Sequence, residues 1–358
     1  MRNPMRSLIC AWLLLLFAVP ALAADPCPLQ RVQKNSPVIA ARIAGYACDA
    51  NQHWYRPFID AEGRTYGPRI YEAESSRLAD GGEAWRHVAS YWNESGLLGS
   101  AYGRPGASEC AYAATSAYPS PACRSFIIDT PWSAAFVSWV MRRAGVPGFN
   151  GSASHVSYVR DAYRNPQTSA YNVQDPRSGK PMLGDMLCYV RVPSRTYGFA
   201  DLASMLSLPS NDGLGMHCDI VVGVNPGNDG LAYLVGGNVN QAVTLRKLRL
   251  APNGYFAPLP ILTPSSPECT PDQPQHCNAN RQDWAVMLKL KSASELAQLA
   301  PPPPPVLPAT SAPAPQQCCV NCVVGSGIPR CPVGGAPAPV NPLRETDPAK
   351  QLPPAPAR

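Results

Sequence analysis

The 358-residue chain carries a formal net charge of +6, and only 15% of its residues are charged. That modest excess forms no basic stripe, which argues against nucleic acid as a partner and suits an anionic wall or surface. Thirteen cysteines point to an oxidising compartment and favour disulfides over metal sites.

Arg2 and Arg6 precede an apolar run from Leu8 to Ala21, and Ala21-Leu22-Ala23 supplies a small-x-small cleavage site. The pattern predicts a signal peptide over 1–23 and a periplasmic or secreted bacterial protein. Losing the two arginines lowers the charge by two, from +6 to +4. No later run is long enough to span a bilayer, so no membrane span is expected. Residues 24–69 read as a short, turn-rich N-terminal extension.

An α+β domain is expected over 70–295. Trp85, Val88, Ala89 and Trp92 recur at helical spacing, giving a helix that ends near Gly96. A Gly/Ser/Pro-rich insertion occupies roughly 99–129. The segment from Thr130 to Gly145 then reads as a complete helix, with Thr130 as N-cap, Pro131 at the first position, Arg142 and Arg143 in the last turn, and Gly145 as C-cap. It is apolar on nearly every face, which predicts a buried central helix. A shorter helix follows over His155–Tyr163.

Strand-like runs come next, over Met186–Val192, His217–Val224, Leu231–Val239, Val243–Leu250 and Trp284–Lys291. The turn formers of Asn225–Gly230 predict an antiparallel hairpin between the second and third runs. Helices first and strands afterwards point to α+β rather than a doubly wound sheet. Residues 296–358 read as a proline-rich tail; 17 of the last 58 residues are proline and none is aromatic, which predicts a disordered or polyproline-like segment. Without Cys10 twelve cysteines remain, and proximity suggests Cys27–Cys48, Cys110–Cys123, Cys269–Cys277 and the longer-range Cys188–Cys218.

Candidate chemistry gathers on the central helix and the strands. Ser133 lies in the first helical turn, where unpaired N–H groups and the positive dipole end meet. His217 opens an apolar strand whose alternation puts His217, Asp219 and Val221 on one face and Cys218 on the other. Asn238, after Gly236-Gly237, is placed to reach the imidazole across the hairpin. Asp219 lies roughly 6–7 Å along the strand from His217, long for a direct bond, so it either orients the ring or shapes a groove. A nucleophile, a base and an orienter form triad logic. His155, Trp132 and Asp185 are candidate substrate-binding residues. The histidines are scattered and no His-Glu-x-x-His pattern occurs, so neither a metal nor another cofactor is expected.

The order Pro131-Trp132-Ser133-Ala134-Ala135-Phe136-Val137, Gly184-Asp185, His217, Gly236-Gly237-Asn238 resembles the papain-like cell-wall amidases, the CHAP domains and their NlpC-type relatives. Closer still is a resemblance to a bacterial domain family with no assigned function. It covers roughly Trp85 to Leu290. The resemblance implies a papain-like central helix packed on an antiparallel sheet and cleavage of amide bonds in peptidoglycan. Ser133 stands where those amidases carry cysteine. A thiol near ~8.5 is readily lowered to a standing thiolate, whereas a hydroxyl needs His217 to take its proton during attack. Two expectations follow: a Ser–His peptidoglycan amidase or endopeptidase, or a non-catalytic module that binds peptidoglycan or another envelope glycopeptide on the same fold.

Overall fold

The computed structural model describes residues 25–211 and 213–301. The signal segment 1–23 and the expected proline-rich tail from residue 302 onward lie outside the described residues. Helices form α1 (Cys27–Gln30), α2 (Ile39–His53), α3 (Ala84–Glu94), α4 (Pro121–Asp129), α5 (Ser133–Arg143), α6 (His155–Arg164), α7 (Gly198–Ser207) and α8 (Ala293–Leu296). Strands are β1 (Phe58–Ile59), β2 (Thr65–Tyr66), β3 (Tyr171–Gln174), β4 (Met186–Val190), β5 (Met216–Val224), β6 (Leu231–Val239), β7 (Ala242–Arg249) and β8 (Asp283–Leu290).

The strands join in one sheet of order β2-β1-β7-β6-β5-β4-β8-β3. The architecture is α+β, as the element order predicts. The expected β5–β6 hairpin is antiparallel. An all-antiparallel sheet is not found, because β1 runs parallel to β7. Period-two alternation explains how the sheet covers two cores. Met186, Cys188 and Val190 with Cys218, Ile220 and Val222 join the large helical core. Leu187, Tyr189, Val221 and Leu234 meet Phe256, Trp284 and Met287 in a second, smaller cluster.

Helix α5 is the centre of the large core, and Ala134, Ala135, Phe136, Val137, Val140 and Met141 are all buried. The Phe136 ring meets Tyr91 of α3 and Trp139 of α5 itself, whose centroids lie 5.2 and 6.0 Å away. The approach to β6 is close because residue 237 is glycine; a Cβ there would lie 2.5 Å from the Phe136 ring carbon. The end of α5 follows its sequence signals. Gly145 N bonds Arg142 O and Val146 N bonds Met141 O, the paired bonds of a Schellman cap. Its start differs from expectation: Thr130 terminates α4, and Trp132 is the N-cap of α5 without a side-chain bond.

Other departures have physical causes. The 24–69 extension contains the 15-residue α2, whose Ile43, Ala44, Ala47 and Cys48 belong to the same core as Phe136. Small alanines rather than large aliphatics form its buried stripe, which leaves a weak periodic signal. The 99–129 insertion ends in α4, capped by Ser120 Oγ on Cys123 N at 3.2 Å. At the other boundary the chain stays docked past residue 295, with Leu296 buried and Gly148 N bonded to Ala300 O. All four expected disulfides are present: Cys27–Cys48, Cys110–Cys123, Cys188–Cys218 and Cys269–Cys277. Cys188 and Cys218 are direct cross-strand partners of β4 and β5. Among the described residues, no helix is long and apolar enough to cross a membrane.

Candidate active site

Ser133 is the first residue of α5 and is only 4% exposed. The N–H groups of this turn have no intrahelical partners. Its hydroxyl meets an imidazole at 2.7 Å, but the ring is His155 rather than His217. His155 is brought there because it opens α6, which the 144–154 connection swings back toward the start of α5. Across the ring, His155 Nδ1 contacts the Tyr158 hydroxyl one helical turn on. The order is therefore Ser133, His155, Tyr158, a hydroxyl–imidazole–phenol line.

Burial pushes the His155 pKa well below its ordinary value, and the nearby His217 and Arg191 act in the same direction. Burial likewise raises the Tyr158 phenol well above its usual range. At neutral pH both groups are uncharged. If Nδ1–H donates to Tyr158, then Nε2 is left as the acceptor for the Ser133 proton.

His217 stands behind this line, its ring centroid 5.1 Å from that of His155. Its Nε2 bonds Asp219 Oδ1 at 2.8 Å, and Asp219 Oδ2 takes Arg246 Nε at 2.8 Å. Arg246 also donates to Ala279 O at 2.7 Å and Asn280 Oδ1 at 2.9 Å. Burial works against ionising Asp219, yet Arg246 and His217 hold its carboxyl well below the usual range. Gly236 makes room for the pair: a Cβ there would lie 1.9 Å from Asp219 Oδ1.

The sequence expectations thus divide. Asp219 does contact His217 directly, although the spacing along the strand argued against a direct bond; the two side chains lean together where their Cα atoms stay apart. Asn238 does not hold the imidazole. With its amide nitrogen toward Glu72, it donates to Oε2 at 3.0 Å and accepts from Trp132 N at 3.3 Å. Trp132 completes that knot through Nε1 on Glu72 Oε2 at 3.0 Å, and otherwise packs against Trp54 and Tyr91. Burial raises the Glu72 pKa, the Trp132 bond opposing it. Asp185 serves the sheet instead: it accepts from Met182 N at 2.7 Å and Leu290 N at 2.8 Å and pairs with Lys289.

Tyr158, Arg246, Glu72 and Asn280 are members that sequence reasoning missed. Two left a signal. Tyr158 sits three residues after His155, on its helical face, and Arg246 is the one of three cations on β7, beside Lys247 and Arg249, that falls at a buried register.

The profile of a bacterial family, described as uncharacterized protein conserved in bacteria (DUF2272), matches residues 79–290. This is more than half of the chain, and the chain belongs to that family. No curated protein and no solved structure matches it.

Proposed function

Proceeding from that family membership, we propose that the protein is a serine-dependent amidase or endopeptidase of a papain-like kind, acting on peptide bonds of peptidoglycan outside the cytoplasm. The observation that carries this reading is the 2.7 Å contact between Ser133 Oγ and His155 Nε2 at the leading end of a buried helix. Four disulfides accord with an oxidising, extracytoplasmic setting.

In this mechanism Ser133 Oγ attacks the scissile carbonyl while His155 Nε2 takes its proton. Tyr158 fixes the tautomer by accepting from Nδ1, the part an acid or amide plays in other triads. The N–H groups of the α5 first turn face the developing oxyanion. His155 then returns the proton to the departing amine, which leaves an acyl-serine. Water, deprotonated by the same imidazole, releases the acid and restores Ser133. His217, locked by Asp219, packs beside His155 and limits its rotation; here its role is positioning rather than proton transfer.

One observation favours a second reading, a non-catalytic wall-binding module. Ser133 is only 4% exposed, whereas a groove of about 480 Å³ lies open beside the β6–β7 turn, lined by Tyr66, Arg69, Tyr71, Asn240 and Gln241. Aromatic faces with amides and a cation suit a glycan. The deciding experiment incubates purified protein with sacculi and with a fluorophosphonate. New amino termini and a phosphonylated Ser133, both abolished by Ser133→Ala, support the hydrolase. Release that persists in Ser133→Ala overturns it, and pull-down without release or labelling by either protein establishes the binding module.

A further inference from the structure

Away from Ser133, three side chains from separate parts of the chain converge. His53 is the last residue of α2, His87 lies in the first turn of α3, and Asp80 sits in the loop between them. Asp80 Oδ2 lies 3.0 Å from His87 Nε2 and 3.8 Å from His53 Nδ1. All three donor atoms fall within 4.8 Å of one another, and the two rings are 5.5 Å apart.

We propose that His53, Asp80 and His87 bind a divalent transition-metal cation of the zinc class, which clips α2 onto α3.

Donor chemistry and geometry both support this. Two imidazoles and one carboxylate form a mixed N/O set that suits zinc, copper or nickel better than calcium or magnesium. Tetrahedral bonds of ~2.0–2.1 Å put donor atoms roughly 3.3 Å apart, and the two observed spacings to Asp80 bracket that value. The loop is held ready for the task. Ala79 N bonds His53 O at 2.8 Å, tying the carboxylate to the end of α2. Asp80 Oδ1 is occupied by Gly82 N at 3.0 Å, which leaves Oδ2 turned toward the histidines. Side-chain exposures of 29%, 33% and 18% for His53, Asp80 and His87 give a cation a path in and leave room for a water as fourth ligand.

The site joins a residue outside the family match, His53, to two inside it, Asp80 and His87. A metal there would fasten the N-terminal helix to the family domain. The proposal is independent of the Ser133 chemistry.

The test is a calorimetric titration of the folded, untagged full chain with zinc chloride after alkylation of any free thiols, paired with cobalt(II) absorption spectroscopy. One equivalent should bind, with cobalt giving the intense visible bands of a tetrahedral N/O site. Asp80→Asn, which keeps the acceptor for Gly82 N, and His87→Ala should each weaken zinc binding at least tenfold. His276→Ala, remote from the cluster in sequence, and Ser133→Ala should leave it unchanged. Saturable binding that survives both ligand variants, or no saturable binding by the folded wild-type chain, overturns the proposal.

Discussion

Removing the Asp219 carboxylate is the sharpest test of how the site is held together. Asp219 and Arg246 are 1% and 2% exposed, and the acid takes two charged hydrogen bonds of 2.8 Å each. In Asp219→Ala the guanidinium keeps only neutral acceptors, Ala279 O and Asn280 Oδ1. An uncompensated charge at such a place costs roughly 3–5 kcal/mol. Arg246→Met leaves the buried carboxylate with His217 alone and should cost a similar amount. The double variant leaves neither charge, so its loss should fall short of the sum of the singles by at least about 2 kcal/mol. Urea unfolding in non-reducing buffer at neutral pH measures all four corners. The sign of the pH dependence follows from Asp219's lowered pKa. Its contribution is complete above the unfolded carboxylate value of ~3.9 and drains away as the solution becomes more acid, so the gap between wild type and Asp219→Ala should narrow by about 1 kcal/mol between pH 6 and pH 3. Strict additivity across the cycle, or a gap that ignores pH, would refute the pairing argument.

Three further outcomes are expected. If His155 is the base, the acid limb of kcat/KM for sacculus cleavage should fall below the ordinary histidine value of ~6.5, because burial, His217 and Arg191 lower its pKa; a limb above that value would remove His155 from the role. Glu72→Gln should be neutral to stabilising by up to about 1 kcal/mol at pH 7, since the amide oxygen still accepts from Trp132. Burial raises the Glu72 pKa, so the wild-type penalty is absent below ~4.3 and grows with pH; thermal melts at pH 4 and 7 should show the Gln variant's advantage only at the higher pH. Replacing Cys188 and Cys218 together by alanine opens a loop of separation 30 and should cost about 3–4 kcal/mol in denaturant titrations. That variant should also lose cleavage, because Cys218 sits between His217 and Asp219.

How much of this was legible in the sequence depended on whether a feature is local. Strands β5 and β6 and the end of α5 announce themselves through apolar runs, turn formers and caps, each acting within a few residues. The disulfides were readable because cysteines close in sequence had few other partners, and Cys188 and Cys218 lay on neighbouring strand runs. β1 and β2 were not readable, since two-residue strands carry no period. Neither was the partner of Ser133. His155 reaches it only because the loop after α5 reverses α6 onto the helix start, a tertiary event with no local signature. Asn238 misled for the same reason: its neighbour in space is Glu72, a residue 166 positions earlier in the chain.

The electrostatics at His155 bear on why a serine stands at the head of α5. A cysteine site works as a thiolate–imidazolium pair, which requires an imidazole that holds a proton at rest. Here burial opposes that charge first, with His217 and Arg191 acting in the same direction, and Asp219, paired to Arg246, offsets them only in part. A resting imidazolium is therefore costly in this pocket, while a neutral imidazole with a free lone pair is favoured. Such a ring is useless for maintaining a thiolate but suits a hydroxyl, whose proton moves only as the carbonyl is attacked. Under the proposed mechanism, the serine at position 133 and the low basicity of His155 suit one another. It follows that Ser133→Cys alone should yield a protonated, sluggish thiol in slow iodoacetamide alkylation rather than a reactive thiolate.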